Sequence, residues 1–132
     1  MHEKFLSGRV AMVTGGASGM GRAMAMAFAQ AGANVGIGSL LSQSSAKRAD
    51  GELVNRPGQE ELDRTKKEIE ALGVRCVAVD LDVCDVESVK RFHKTVVDAL
   101  GPVDILANAA GITAEHLTSH HPESLWLKVM DV

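Results

Sequence analysis

The sequence contains no tyrosine and few aromatic residues of any kind, with one tryptophan and three phenylalanines among 132 residues. It also lacks a long apolar run, since every apolar stretch falls well short of the roughly 20 residues that a membrane-spanning helix needs. Its N-terminal stretch, MHEKFLSGRV, includes no apolar region typical of a signal peptide. We therefore expect a cytoplasmic protein without a membrane partner.

Positive charge is not in excess either. The 14 Lys and Arg residues are outnumbered by 17 Asp and Glu residues, which gives a formal net charge of -3. Because nucleic-acid binding depends on a basic surface, we expect no nucleic-acid partner.

Cysteine is scarce, and no residue pattern indicates a metal site. Cys76 and Cys84 are the only two cysteines, and their spacing fits neither a paired-cysteine metal site nor a disulfide framework. His116, His120 and His121 are close in sequence, but in a stretch that we interpret as a loop without a carboxylate or cysteine at ligand spacing. We expect two reduced thiols and no bound metal.

Short apolar runs alternate with helical patterns along the rest of the chain. The predicted strands are 9–14, 34–38, 75–80 and 105–108. The predicted helices are 21–31, 59–72, 86–100 and a helix that starts at Pro122. This alternation predicts a single α/β domain over residues 1–132, with a Rossmann-type doubly wound parallel sheet and helices on both faces. Right-handed crossovers give the strand order 3-2-1-4.

The third predicted helix has the clearest apolar stripe. Asp85 is placed to cap its start, and Gly101 and Pro102 end it. The residues that we expect to form its buried face are Val86, Val89, Phe92, Val96 and Leu100.

A stretch at 39–58 interrupts the alternation. It shows no strand or helix pattern and is long for a connection within a compact domain. We predict a long loop inserted after the second strand, which is either functional or mobile.

A glycine-rich turn lies between the first strand and the first helix. Gly15 permits a tight turn, Gly19 lets the backbone approach a pyrophosphate, and Gly21 lets helix and strand pack closely. Free N–H groups and the positive end of the helix dipole attract phosphate at this point. Because the glycines lie between a strand and a helix, they predict a dinucleotide site rather than a turn without a ligand.

Four short motifs resemble those of the short-chain dehydrogenases/reductases. TGGASGMG at 14–21 matches the family's TGxxxGxG motif, and NAAG at 108–111 resembles its NNAG motif, with Ala109 in place of the second Asn. LDV at 81–83 is similar to the Asp-Val that contacts adenine after strand three. WLKVMDV at 126–132 resembles the helix that leads to the catalytic Asn. The motifs occur in the family's order and span the chain outside the inserted stretch.

The resemblance implies NAD or NADP as the cofactor. The cofactor-binding residues that it implies are Gly15, Ser18, Gly19, Met20, Gly21, Ser39, Asp82, Val83, Asn108, Ala109, Ala110 and Gly111. The glycine loop would line the pyrophosphate, 82–83 the adenine, and 108–111 the ribose on the nicotinamide side. Simpler roles remain open, with Asp82 as a turn residue and Asn108 as a bridge between strands.

Ser39 departs from the family pattern. NAD-preferring members carry an Asp there, which accepts hydrogen bonds from the adenosine ribose. The positions where NADP-preferring members usually place a basic residue hold Leu40 and Ser18. Three cations of the inserted stretch either fold back over the site or only solubilise the loop: Lys47, Arg48 and Arg56. Because no carboxylate repels a 2′-phosphate, we predict NAD or NADP with a preference for NADP.

The second departure concerns catalysis. Members of the family use a Ser, a Tyr and a Lys shortly after it, all beyond strand four. This sequence has no tyrosine and its last residue is Val132, so the resemblance implies an amino-terminal cofactor-binding half, truncated to four of about seven strands. It implies an oxidoreductase that transfers hydride between the nicotinamide and a carbonyl or alcohol, with no catalytic residue in these 132 residues and no activity on their own.

Two other interpretations remain. One is a non-enzymatic module that binds a dinucleotide or associates with itself. The other is a different doubly wound enzyme such as a methyltransferase, against which Ser39 counts because an acidic residue usually closes strand two in those enzymes. We also expect a homo-oligomer, because strand four would be an unpaired edge. The apolar residues that we expect to be exposed beside it are Leu125, Trp126, Val129 and Met130.

Overall fold

A computed structural model describes residues 3–49, 51–54 and 56–132. The strands in chain order are β1 (Val10–Thr14), β2 (Asn34–Ser39), β3 (Glu52–Leu53), β4 (Cys76–Asp80), β5 (Ile105–Asn108) and β6 (Thr113–Ala114). The helices are α1 (Gly19–Gln30), α2 (Gln59–Glu70), α3 (Val86–Leu100) and α4 (Glu123–Asp131), with a short 3-10 helix at Thr118–His120. None of the helices described is long and apolar enough to cross a membrane.

The main sheet is parallel and has the order β4-β2-β1-β5. The four predicted strands are β1, β2, β4 and β5, so the predicted order is confirmed. All residues of β1 are buried, as expected for the central strand of a sheet covered on both faces. The register places Thr14 beside Gly38 on one side and Asn108 on the other. The carboxyl ends of these strands therefore meet at the point where the strand order reverses.

Two apolar clusters hold helices on opposite faces of the sheet, as the α/β alternation predicts. Alternate residues of β1 supply both clusters, with Val13 in one and Met12 in the other. The first cluster joins the sheet to α1 and α2 through residues such as Ala25 and Leu62. The second joins it to α3 through Phe92, Val96 and Leu100. These clusters fix where α1 begins relative to the sheet edge.

The prediction of the buried apolar stripe of α3 is wrong for the first turn of the helix. Val86 and Val89 are exposed, whereas Ser88 is buried. The Ser88 hydroxyl accepts a hydrogen bond from the Asp82 N–H at 3.0 Å. Ser88 lies one helical turn before Phe92 on the buried stripe that also holds Val96 and Leu100, so the serine rather than the two valines faces the protein.

The stretch at 39–58 is not wholly irregular. Ser39 is the last residue of β2, and β3 pairs antiparallel with β6, with Glu52 opposite Ala114 and Leu53 opposite Thr113. A second contact closes the stretch near its base, where the Ser42 N–H donates to the Pro57 carbonyl at 2.9 Å. The long loop predicted here therefore includes a short strand that returns to the body of the protein.

The last helix exposes part of the apolar surface that the sequence predicts. Trp126 and Met130 are exposed, but the expectation for Leu125 is wrong because this residue is only 1% exposed. The Leu125 side chain lies next to Gly51 of the inserted stretch, which covers it. Within the described residues β5 pairs with β1 alone, so its other edge has no partner strand there.

Candidate cofactor-binding site

The glycine loop connects the end of β1 to the start of α1, which begins at Gly19 rather than at the predicted Gly21. Gly19 has φ +52°, in the left-handed region that side chains rarely adopt, and a Cβ atom on it would meet nothing within 4 Å. Gly21 lies against the loop itself, because a Cβ atom there would be 2.0 Å from the Gly15 carbonyl oxygen. The loop thus needs glycine at these two positions for different reasons, the left-handed backbone at Gly19 and close packing at Gly21.

Backbone hydrogen bonds from β2 hold the loop in place. The Gly15 N–H donates to the Gly38 carbonyl at 2.7 Å, and the Gly16 N–H donates to the same oxygen at 3.2 Å. The Ala17 N–H donates to the Ser39 hydroxyl oxygen at 2.9 Å. Ser39, the predicted ribose contact, is therefore also a support of the glycine loop.

Thr14 ties the loop to the segment after β5, a role that the sequence analysis did not assign to it. Its Oγ1 accepts hydrogen bonds from the Ala109 and Ala110 N–H groups, each at 3.1 Å, and the residue is buried. A hydroxyl residue at the carboxyl end of the predicted central strand was the available signal. The bonds join two of the four motifs that carry the family resemblance, those at 14–21 and 108–111.

Asp82 has the role of a turn residue that the sequence left open. Its carboxylate accepts from the Cys84 N–H at 2.9 Å, just before α3 begins. Cys84 is exposed and its pKa is raised, first by partial burial and then by the charges of Asp82 and Asp131. Burial raises the pKa of the Cys76 thiol to about 12. Both cysteines are free.

A cavity of about 610 Å³ brings the predicted residues together, within the size range of sites for small molecules and cofactors. The predicted residues that line it are Gly15, Ser18, Gly19, Met20, Gly21, Ser39, Asp82, Val83, Ala109, Ala110 and Gly111. Asn108 is the exception, because it lies at the end of β5 beside Thr14 and does not line the cavity. The part of these residues in binding remains a prediction.

The inserted stretch forms one wall of the same cavity. Its lining residues are Ala46, Lys47, Glu52, Leu53, Val54, Arg56 and Pro57. Of the three cations predicted either to fold back over the site or only to solubilise the loop, Lys47 and Arg56 line the cavity and Arg48 does not. The stretch therefore does fold back over the site, as one of the two predicted alternatives requires.

A buried ion cluster fastens this wall, and no pattern in the sequence indicates it. The Glu52 Oε2 atom lies 2.7 Å from the Lys128 Nζ atom of α4, and Oε1 lies 3.5 Å from the Arg56 guanidinium. Lys128 also donates to the Lys47 carbonyl. Burial raises the pKa of Glu52, but the bonds from Lys128 and the Ala49 N–H and the neighbouring positive charges outweigh it, so the net pKa is lowered.

No group of three or more His, Cys, Asp or Glu residues within 3–49, 51–54 and 56–132 is arranged to hold a metal ion. His116 and His121 instead contact each other edge to face, with ring centroids 5.6 Å apart, and His121 contacts Trp126 in the same way.

Comparison with known proteins agrees with this geometry. The family model for short chain dehydrogenase matches residues 31–132. The chain belongs to the short-chain dehydrogenase family. Its members are oxidoreductases, and the family resemblance of the sequence motifs is confirmed.

Relatives of this short-chain dehydrogenase chain are longer than the chain itself. A short chain dehydrogenase of Pseudocercospora fijiensis is 36% identical over 129 residues, which are 96% of this chain and 36% of the relative. The chain thus spans less than half the length of such relatives, and the predicted truncation relative to the family fold agrees with this.

Solved structures show the same fold with nicotinamide dinucleotides bound to them. Carveol dehydrogenase from Mycobacterium avium, in complex with NAD, superimposes with a TM-score of 0.85 at 26% identity, over 96% of this chain and 44% of the other. A blue fluorescent protein from a metagenomic library, in complex with NADPH, gives 0.79 at 28% identity, over 96% and 45%.

Proposed function

We propose that residues 1–132 form one NAD(P)-binding Rossmann domain, with 39–58 as an insertion, and that this domain is the cofactor-binding half of a short-chain oxidoreductase. The observation that carries the proposal is the single cavity in which the glycine loop, residues 82–83 and residues 109–111 meet. The full-length reaction is a reversible hydride transfer between the nicotinamide and a carbonyl or alcohol. Relatives named as carveol dehydrogenases support an alcohol or its ketone as the substrate class.

The residues present fit a dinucleotide. The pyrophosphate would lie against the N–H groups at the start of α1, where the helix dipole is positive and the first turn holds no acidic residue. The open space above Gly19 leaves room for it. The bound cofactor supplies the hydride chemistry, while the chain binds it, orients it and excludes water along the wall formed by the insertion. Because the 132 residues contain no tyrosine to move the proton, we propose that alone they bind the cofactor without catalysing its oxidation or reduction.

We propose NADP as the preferred cofactor. Ser39 places no carboxylate at the end of β2, and Lys47 lines the cavity without an ion-pair partner among the described residues. Glu52 also lines the cavity, but Lys128 and Arg56 neutralise its charge. The Asp80 carboxylate, beside Ser39 in the sheet, accepts the Leu41 N–H at 3.1 Å and does not line the cavity. The Lys47 charge on the cavity wall therefore favours a 2′-phosphate over a bare ribose.

Fluorescence titration with NADPH and NADH tests the function. We expect both dinucleotides to bind, NADPH more tightly, and we expect Gly19→Ala to weaken both by at least about tenfold, because its methyl group occupies the space left for the pyrophosphate. Gly8→Ala is the matched control, since Gly8 also has a left-handed backbone (φ +82°), a Cβ atom there meets nothing within 4 Å and the residue lies outside the cavity. Binding of neither dinucleotide at millimolar concentration would refute the function, and tighter binding of NADH would refute the preference.

The exposed apolar face of α4 favours the other proposal from the sequence, self-association. Trp126 and Met130 are exposed there, and β5 offers an edge without a partner strand in the described part of the chain. We expect sedimentation velocity to show a dimer or larger species that Trp126→Glu dissociates, because the new carboxylate would be buried in the contact. A wild-type protein that sediments as a monomer at all concentrations would contradict this.

A further inference from the structure

Ser39 stands where NAD-preferring relatives are expected to read the ribose, yet its surroundings give it another task. The residue is 4% exposed, so little of its side chain is available to a ligand in the cavity. Its Oγ atom accepts the Ala17 N–H at 2.9 Å, and Ala17 is itself buried. A buried N–H group without an acceptor is costly, so this bond determines where the residues at 16–18 lie.

Two further hydrogen bonds join the glycine loop to the end of β2. Gly15 and Gly16 donate to the Gly38 carbonyl, one residue before Ser39 in β2. The end of β2 thus accepts three consecutive N–H groups of the glycine loop. The two bonds to Gly38 are between backbone atoms and do not depend on side chains. The bond to Ser39 is the one that a substitution removes.

We propose that Ser39 is a positioning residue that orients the glycine loop, and through it the N–H groups at the start of α1, rather than a residue that chooses between NAD and NADP. This inference rests on the proposed dinucleotide site. The two roles differ in the part of the cofactor that the residue affects. A residue that reads the ribose acts on the part that differs between NADH and NADPH, whereas a residue that orients the loop acts on the pyrophosphate that both contain.

Substitutions at position 39 separate these roles in the NADH and NADPH titrations. We expect Ser39→Ala to weaken both dinucleotides by the same factor, about tenfold, because the Ala17 N–H loses its acceptor. The ratio of the two dissociation constants should stay as in the wild type. Ser39→Thr, which keeps the hydroxyl, should restore both affinities. Ser39→Cys keeps the side-chain size with a weaker acceptor, so it should give an intermediate loss of affinity for both dinucleotides. This variant tests the same role if the alanine variant does not fold.

Circular dichroism checks that each variant is folded before it is titrated. A change in the ratio of more than about threefold in Ser39→Ala would overturn the proposal, because it would show that Ser39 reads the ribose. Unchanged affinities for both dinucleotides would overturn it as well. If the wild type binds neither, the proposed function itself fails, and this result is distinct from a wild type that binds both with a ratio that Ser39→Ala alters.

Discussion

Gly21→Ala is expected to destabilise the protein by about 3 kcal/mol or more and to abolish dinucleotide binding. The Cβ atom of alanine would lie 2.0 Å from the Gly15 carbonyl oxygen and 2.6 Å from its carbonyl carbon. Both are backbone atoms of the loop, so no side-chain rotation relieves the overlap. Either α1 moves away from β1, which opens the core around Ala25, or the loop loses its bonds to Gly38. Urea unfolding followed by circular dichroism measures the change in the free energy of unfolding.

Gly111→Ala is the matched control for the unfolding measurement. A Cβ atom on Gly111 would meet nothing within 4 Å, and its backbone does not lie in the left-handed region. We expect this variant to unfold within about 0.5 kcal/mol of the wild type. If Gly21→Ala were as stable as Gly111→Ala, the loop would not be packed closely against α1 at this position.

The order of the main sheet could be predicted from the sequence because it depends on local patterns. Each strand is a short apolar run, the helices α1, α2 and α3 end at or near a glycine, and the right-handed crossover then leaves one arrangement of strands. The glycine loop could be predicted for the same reason, since its strand, turn and helix are adjacent in the chain. The structure places this loop and the segments 82–83 and 109–111 around one cavity, because the carboxyl ends of parallel strands meet there.

The pairing of β3 with β6 could not be predicted in this way. Each strand has two residues, too few to show a period, and they are far apart in the sequence. Their pairing depends on contacts that only the folded chain brings together, including the contact of Gly51 with His116 and Leu125. Leu125 was therefore predicted to be exposed, although the insertion covers it.

Polar contacts explain the other differences between prediction and structure. A helical stripe in the sequence ranks Val86 and Val89 above Ser88, but Ser88 can be buried because its hydroxyl accepts a hydrogen bond from the Asp82 N–H. In the same way, the sequence marks Ser39 as a departure from a family pattern without showing which N–H group it accepts. Hydrogen bonds to distant backbone atoms leave no periodic trace in a sequence.

Lys128→Met is expected to free the insertion from α4. The Glu52 side chain is 1% exposed and depends on Lys128, Arg56 and the Ala49 N–H for its partners. Loss of one partner of a fully buried ion pair costs roughly 3–5 kcal/mol. Because Lys128 is 29% exposed and Arg56 remains, we expect about 2 kcal/mol here. Hydrogen exchange should show faster opening of residues 46–54, while the amides of β1 and β2 keep their protection.

Lys94→Met provides the comparison for that variant, because it breaks an ion pair with Asp98 in which both side chains are exposed. Such pairs contribute at most about 1 kcal/mol, so the insertion should exchange as in the wild type.

The lowered pKa of Glu52 adds a dependence on pH. The stabilisation that the ionised Glu52 gives the insertion is fully present above the ordinary glutamate pKa. It is lost as the pH falls through the lower pKa that Glu52 has in the folded protein. After correction for the slower intrinsic exchange of amides in acid, opening of the insertion should therefore increase as the pH falls in the wild type and change less in Lys128→Met. Equal exchange rates of the insertion in Lys128→Met and Lys94→Met at neutral pH would show that Glu52 and Lys128 do not hold the wall of the cavity in place.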